Sequence, residues 1–426
     1  MSTPTTEFRL SRKEYKTIFL SILGGALEIY DFIIYVFLAA ILADVFFPTD
    51  IPQWLGMVQS MMIFSVGYIA RPFGGILMAH YADRLGRKVM FNFTLVFMAL
   101  PCLLTGLMPT YAQIGYMAPL LLVLLRLIQG AALGGEVPNA WVFVAEHVVA
   151  QRRGLALGLL QAGLTFGYLL GAFTVMLLTT IFDKPTLVEW AWRIPFVIGG
   201  VFGVIAVWLR RWLQETPIFL ALKQQRALAV KLPLTDVIRQ HKRAVIPSVV
   251  LTALLATVMI INVVVTPMLL QKVHLLSPQT TFRISCVAIL LLNIGCIAGG
   301  WLADKLGAWR TFTLYSVLMG LGIIMLALSM QHSVNMTMIS YLLICLFSGI
   351  VGVVPAIMVQ LFPPEVKVTG ISLTYNATYS LCSATLPILF IGLFTTQPLM
   401  IVGLGGGAAL IGLLTARIYR HSLLPH

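Results

Sequence analysis

The chain has 426 residues, of which 59% are hydrophobic and only 10% charged. Soluble globular proteins carry roughly 25% charged residues, and so few charges cannot cover a water-facing surface. Soluble enzymes, disordered chains and disulfide scaffolds are excluded, which leaves an integral membrane protein. The formal charge of +13 would suggest nucleic acid in a soluble protein. Here the basic residues gather in short loops on one side of a membrane, so a lipid bilayer and no nucleic acid is the expected partner.

The first apolar run, Thr17 to about Ala43, follows Arg9, Arg12, Lys13 and Lys16. It is longer than the roughly 7–15 residues of a signal-peptide core and carries Glu28 and Asp31, so it reads as a retained first helix. A helix needs about 20 apolar residues to cross the hydrocarbon layer. Dividing the chain at charges, prolines and polar clusters then predicts twelve spans: 17–43, 56–80, 89–109, 117–146, 154–181, 192–213, 245–271, 283–303, 309–330, 337–361, 369–394 and 397–418. With alternate loops on alternate sides, about 22 of the 28 Lys and Arg share the side of the N-terminus. Both termini are therefore expected to be cytoplasmic.

The longest break, 214–244, holds Arg226, Lys231, Arg239, Lys242 and Arg243 among Phe219, Leu222 and Leu228. It reads as a cytoplasmic linker, partly an amphipathic helix on the membrane surface. It separates an N-terminal six-helix bundle, 1–213, from a C-terminal one, 245–426. The five cysteines, Cys102, Cys286, Cys296, Cys345 and Cys382, all fall in apolar runs without metal-ligand spacing and read as buried, inert thiols. No His pair, Ser–His–Asp arrangement or phosphate-cradling glycine loop suggests catalysis or ATP hydrolysis, so no enzyme, cofactor or metal site is expected.

The halves repeat one feature. Ala82-Asp83-Arg84-Leu85-Gly86-Arg87-Lys88 follows the second span, and Ala303-Asp304-Lys305-Leu306-Gly307-Ala308-Trp309-Arg310 follows the eighth. Matched loops at matched places indicate a duplicated six-helix unit. These loops resemble the signature of the major facilitator superfamily. Glu28-Ile29-Tyr30-Asp31-Phe32, Arg71-Pro72-Phe73-Gly74-Gly75, Arg126-Leu127-Ile128-Gln129-Gly130 through Gly134-Gly135-Glu136, and Glu215-Thr216-Pro217 are similar to its metabolite:proton symporters. Members of that family carry citrate, 2-oxoglutarate, shikimate and compatible solutes such as betaine. The chain differs at Ile29, where Trp is usual, and at Val137-Pro138-Asn139 after Glu136. The resemblance implies an all-α fold of twelve helices in two pseudo-symmetric bundles. It also implies a monomer in a bacterial inner membrane and proton-coupled uptake by alternating access. Span five lacks the Gly-Pro pair of drug:proton antiporters, which favours uptake over the rival within the same class, proton-driven efflux of an amphiphilic compound; a non-transporting membrane sensor is the alternative from a different class.

Five ionisable residues fall deep in the predicted helices: Glu28, Asp31, Arg71, Arg126 and Glu136. Each would cost roughly 2.5–3.5 kcal/mol at a helix centre if unpaired, so they must face the interior. By depth, Asp31 and Arg126 share one level near the midplane, while Arg71 and Glu136 lie at another. Glu28, Asp31 and Tyr35 share a face of the first helix. The expected switch is proton-coupled. An anionic substrate competes for Arg126, and Asp31, losing its partner, takes up a proton. Glu28 and Glu136 are the further coupling candidates.

Arg126, Arg71, Tyr35, Gln161, Asn262, Tyr375, Asn376 and Tyr379 are the expected substrate contacts, with Asn293 a further polar candidate. The resemblance also assigns a cytoplasmic gate. Asp83 faces the start of helix eleven near Thr369, and Asp304 faces the start of helix five near Gly154. Arg84, Arg87, Lys88, Lys305 and Arg310 complete it around the turn made by Gly86. Gly163, Gly167 and Gly171 mark a close-packing face of the fifth helix.

Overall fold

A computed structural model describes residues 11–48, 51–224, 237, 239–396 and 398–419. All the described regular elements are helical. The first six spans are α1 (Arg12–Phe37, continued past Leu38 by Ala39–Phe46), α2 (Gln53–Leu85), α3 (Arg87–Leu107), α4 (Met117–His147), α5 (Arg153–Ile181) and α6 (Arg193–Arg210). The second six begin with α7 (Lys242–Ile260, continued through a π turn at Ile261–Val265 by Thr266–Lys272), α8 (Pro278–Leu306) and α9 (Ala308–Ser329). They end with α10 (Val334–Phe347, resuming as Ile350–Leu361), α11 (Lys367–Thr396) and α12 (Pro398–Tyr419). Eleven of these hold a stretch long and apolar enough to span a bilayer within the described residues. The twelfth, α11, is 30 residues long.

Several helices outrun the apolar runs that mark them. Ser11 and Glu14 form a capping box, with Ser11 Oγ accepting from the Glu14 N–H at 3.2 Å and Glu14 accepting from the Ser11 N–H at 2.7 Å. The box satisfies orphan N–H groups and starts α1 before the expected Thr17. Likewise Lys242 and Arg243 lie in the first turn of α7, not in the linker assigned through 244. Hydropathy locates the membrane, whereas backbone hydrogen bonds continue until a cap or breaker ends them. Of the expected linker helix, Pro217–Gln224 is helical, and Thr216 Oγ1 caps it by accepting from the Phe219 N–H at 3.2 Å. Arg226, Leu228 and Lys231 lie outside the described residues.

Two irregularities face each other in the second bundle. Pro267 cannot donate a backbone hydrogen bond, and the π turn at Ile261–Val265 precedes it. In α10 the helix breaks at Ser348 and Gly349. Asn262 Nδ2 donates to Ser348 Oγ at 2.7 Å, and Tyr341 Oη donates to the Asn262 carbonyl at 2.8 Å. Side chains thus serve backbone groups that no water could reach in lipid.

The bundles meet mainly along α5–α8 and α2–α11. Gly300 of α8 lies against Gly154 and Gly158 of α5, and a Cβ on Gly158 would sit 2.7 Å from the Cys296 carbonyl oxygen. Small residues let these backbones touch. Gly163, Gly167 and Gly171 pack on α1 at Ile22, Ala26 and Ile33, which seats α1 between α5 and the rest of its bundle.

Candidate transport site

α1 carries the first group. Asp31 Oδ2 lies 3.8 Å from an Arg126 guanidinium nitrogen and accepts from Gln129 Nε2 at 2.5 Å. The Arg126 guanidinium sits 4.1 Å from the centre of the Tyr35 ring, while Tyr35 Oη donates to the Ser60 carbonyl at 3.1 Å. Arg126 is 0% exposed, yet none of its three side-chain nitrogens has a hydrogen-bond partner among the described residues. Gln129 was not among the expected site residues. Its place three residues after Arg126, on the same helix face, was the available signal.

Glu28, one turn before Asp31, is 1% exposed, and neither of its oxygens has a hydrogen-bond partner among the described residues. A cavity of about 10 Å³ touches Glu28, Asp31, Met98 and Cys102 between α1, α3 and α6. That is room for about one water molecule.

Glu136 departs from the expectation. Depth put it level with Arg71, but the structure pairs it with Arg210 at 2.5 Å, while Thr94 Oγ1 donates to its other oxygen at 2.5 Å. Arg210 also donates to the carbonyls of Phe91 at 2.7 Å, Ser21 at 3.3 Å and Leu20 at 3.4 Å. Its guanidinium lies 3.6 Å from the Phe91 ring centre. Gly24 makes room for it, since a Cβ there would strike the guanidinium. This ion pair fastens α1, α3, α4 and α6 together.

Arg71 instead reaches the other bundle. Its Nε donates to Asn376 Oδ1 at 2.9 Å, and its guanidinium lies 5.1 Å from the Tyr375 ring centre and 4.8 Å from that of Tyr379. Asn376 Nδ2 donates in turn to the Gly134 carbonyl at 2.7 Å. Tyr375 packs edge-on to Trp141 at 4.9 Å, and Trp141 Nε1 donates to Gln161 Oε1 at 3.0 Å. Arg71, Gln161, Tyr375, Asn376 and Tyr379 therefore form one cluster where α2, α4, α5 and α11 meet. Asn262 is not brought to it, because its side chain closes the α7–α10 irregularity. Asn293 accepts from Thr165 Oγ1 at 2.5 Å, a contact across α5–α8.

On the side of the signature loops the bundles are closed. Thr369 donates to Asp83 Oδ2 through its N–H at 3.1 Å and its hydroxyl at 2.9 Å. Asp304 accepts the N–H groups of Gly154 at 2.6 Å and Leu155 at 2.7 Å. A carboxylate at a helix N-terminus satisfies orphan donors and meets the positive end of the macrodipole, worth typically about 0.3–1 kcal/mol.

Gly86 and Gly307 turn the two loops with φ of 118° and 89°, a region closed to most side chains. Arg87 lies 3.9 Å from Asp83 and 3.2 Å from Glu146, so Glu146 joins the cluster of expected gate residues, a place that hydropathy, by putting it at a helix end, concealed. The other expected basic residues contribute differently. Lys88 donates its backbone N–H to Glu215 at 3.1 Å and its Nζ to the Arg211 carbonyl at 3.5 Å, and Lys305 lies 3.9 Å over the Trp301 ring. Arg84 and Arg310 are exposed.

The Major Facilitator Superfamily model matches residues 20–387. The chain belongs to the Major Facilitator Superfamily. It is 30% identical over 421 residues to the inner membrane metabolite transport protein YhjE of Escherichia coli K12, covering 96% of this chain and 95% of that one. It is 40% identical over 204 residues to a proline/betaine transporter of Salmonella typhimurium, covering 48% of this chain and 41% of the relative. Among solved structures, the proton:xylose symporter XylE bound to 6-bromo-6-deoxy-D-glucose superposes with a TM-score of 0.78 at 17% identity, covering 97% and 96% of the two chains. As a superfamily member the chain is a multi-pass membrane transporter of small molecules, and not an enzyme.

Proposed function

We propose that this transporter is a proton-coupled symporter that takes up a small molecule bearing a carboxylate, either an organic anion or a zwitterion. The bundles are the 1–213 half and the half that begins with α7 at Lys242, and the side holding the signature loops is cytoplasmic, so the closed gate corresponds to a carrier loading from outside. The observation that carries this reading is Arg126: wholly buried, 3.8 Å from one carboxylate, with no hydrogen bond for its donors among the described residues. A guanidinium offers a planar fork that a carboxylate fills with two parallel hydrogen bonds. When a substrate carboxylate engages that fork, Asp31 no longer serves as its counter-charge and can accept a proton. Carrier, proton and monoanion then move as a neutral set. Relatives named as metabolite and proline/betaine transporters support a small polar cargo of this kind.

The test compares carboxylates with their matched amides as competitors for binding to the purified protein. The acid should compete at least about tenfold better, the scale of one charge-assisted hydrogen bond. Arg126→Lys keeps the charge but loses the fork, and should weaken acid binding by about 1.5–3 kcal/mol. Equal competition by acid and amide, or normal binding by Arg126→Lys, would make Arg126 a structural brace and move the reading to efflux.

A further inference from the structure

The two signature loops are alike in backbone and unlike in charge. Each turns on a positive-φ glycine, Gly86 at 118° and Gly307 at 89°. The next residue opens a helix, Arg87 for α3 and Ala308 for α9. The facing helices also end alike, since Val148 after α4 and Phe362 after α10 both have φ of −112°, with ψ of 141° and 142°. Glu146 and Gln360 are the penultimate residues of those helices. The duplication therefore matches Asp83, Arg87 and Glu146 with Asp304, Ala308 and Gln360.

In the first half the Arg87 guanidinium, 1% exposed, ties three parts of the chain together. It pairs with Asp83 and Glu146 in its own bundle. It also donates to Thr216 Oγ1 at 3.5 Å beyond α6, and to the Pro364 carbonyl at 3.2 Å in the other bundle. In the second half a cavity of about 230 Å³ is lined by the matching Asp304, Ala308 and Gln360, with Arg153, Gly154 and Trp309 around them. Gln360 Nε2 turns back to the Ala356 carbonyl at 2.7 Å. Arg153, the cation of this cavity, donates from Nε to the Ala145 carbonyl at 3.2 Å, which lies in its own bundle.

We propose that the closed side of the carrier opens unevenly, the α5–α8 half parting before the α2–α11 half that Arg87 latches. This holds whatever the substrate and the coupled ion. Parting the bundles beside Arg87 breaks charge-assisted hydrogen bonds sealed from water, and leaves two carboxylates short of a counter-charge. Beside Asp304 the cavity has room for several waters, so the two backbone N–H groups that Asp304 holds at 2.6 and 2.7 Å are exchanged for bonds to solvent at modest cost. Ala308 and Gln360 lack the cation and one acid together, so the weaker half strands no carboxylate. It is a complete closure with a lower barrier.

The held N–H groups are themselves the reporters. Gly154 and Leu155 are the second and third residues of α5, and Thr369 is the third of α11, so each N–H lacks a partner within its own helix. Each is protected from exchange while its carboxylate holds it. Deuterium exchange of the purified full-length protein in lipid nanodiscs, resolved by fragmentation and corrected for intrinsic rates, compares the two halves directly. Gly154 and Leu155 should be protected about tenfold less than Thr369, the scale of one charge-assisted hydrogen bond. Ala308→Arg with Gln360→Glu completes the second cluster and should raise protection at Gly154 and Leu155 about tenfold. Arg87→Ala with Glu146→Gln should lower protection at Thr369 by a similar factor.

Protection equal within about threefold at the two helix starts, or greater at Gly154 and Leu155, means that the bundles part as rigid bodies and overturns the proposal. That comparison needs no variant to fold. If the completed cluster folds and leaves Gly154 and Leu155 unchanged, the unevenness does not come from the guanidinium, and the proposal falls as well.

Discussion

Asp31→Asn should abolish accumulation driven by a proton gradient while sparing exchange of substrate between compartments at equal pH. The asparagine keeps the size of the side chain and an oxygen for the Gln129 amide, which Asp31 accepts at 2.5 Å. It cannot bind or release a proton. With one proton per substrate, a pH difference of one unit supports about tenfold accumulation, and the variant should reach none of it. Proteoliposomes with an imposed pH difference measure this directly, and counterflow at equal pH shows whether the carrier still turns over. Wild-type accumulation by Asp31→Asn would place the proton elsewhere. Glu28, buried and without a hydrogen-bond partner among the described residues, would be the next residue to change.

Arg210→Leu should be the most destabilising single substitution in the first bundle. Arg210 is 0% and Glu136 1% exposed, so removing the arginine strands a carboxylate in an apolar interior. Breaking a buried pair in this way costs about 3–5 kcal/mol, whereas replacing both partners with apolar groups is often nearly neutral. The double variant Arg210→Leu/Glu136→Leu should therefore recover most of the loss. Denaturation midpoints in detergent measure both. A single-variant cost below about 1 kcal/mol, typical of an exposed pair, would mean that water reaches this site and that the pair does not fasten the bundle.

The contrast between these two ion pairs shows what the sequence could reveal. Asp31 and Arg126 stand in the middle of long apolar runs, where an ionisable residue is conspicuous and depth along a helix limits its partners. The repeated Asp-Arg-Leu-Gly and Asp-Lys-Leu-Gly turns were equally legible, since a positive-φ glycine after an acid leaves a trace in the residues themselves. Arg210 was not. It precedes Arg211 and Trp212 at the end of a span, and a basic residue beside an aromatic one there reads as an interfacial anchor. Only packing shows that Gly24 of α1 opens a slot through which Arg210 turns inward.

Glu146 was hidden in the same way, beside His147 at the end of α4. Asn262 is the opposite case. An isolated amide in an apolar helix attracts a binding role, but the need to close a π turn is a property of two helices together. Pairwise depth likewise placed Arg71 with Glu136. It could not register that Tyr375 and Tyr379 cross from the other bundle to hold the arginine.

The placement of buried charge has an electrical consequence. Glu28, Asp31 and Glu136 are three acids, and Arg71, Arg126 and Arg210 are three bases, buried among the spans of the first bundle, while its other buried charges, Glu14, Asp83, Arg87 and Glu146, lie at the ends of their helices on the side of the signature loops. No Asp, Glu, Lys or Arg beyond residue 210 is buried among the described residues. With all six ionised, their charges sum to zero. Each uncompensated elementary charge carried across the membrane would couple to the voltage by about 2.3 kcal/mol per 100 mV. An empty carrier in that state would return without moving net charge through the field. Loading one proton and one monoanion keeps the sum at zero, while a proton with a zwitterion makes it one positive. Voltage should leave the empty return untouched and accelerate inward transport only for the zwitterion, which potassium-diffusion potentials in proteoliposomes would show. A voltage-dependent empty return would mean that one of the six is neutral in the resting carrier.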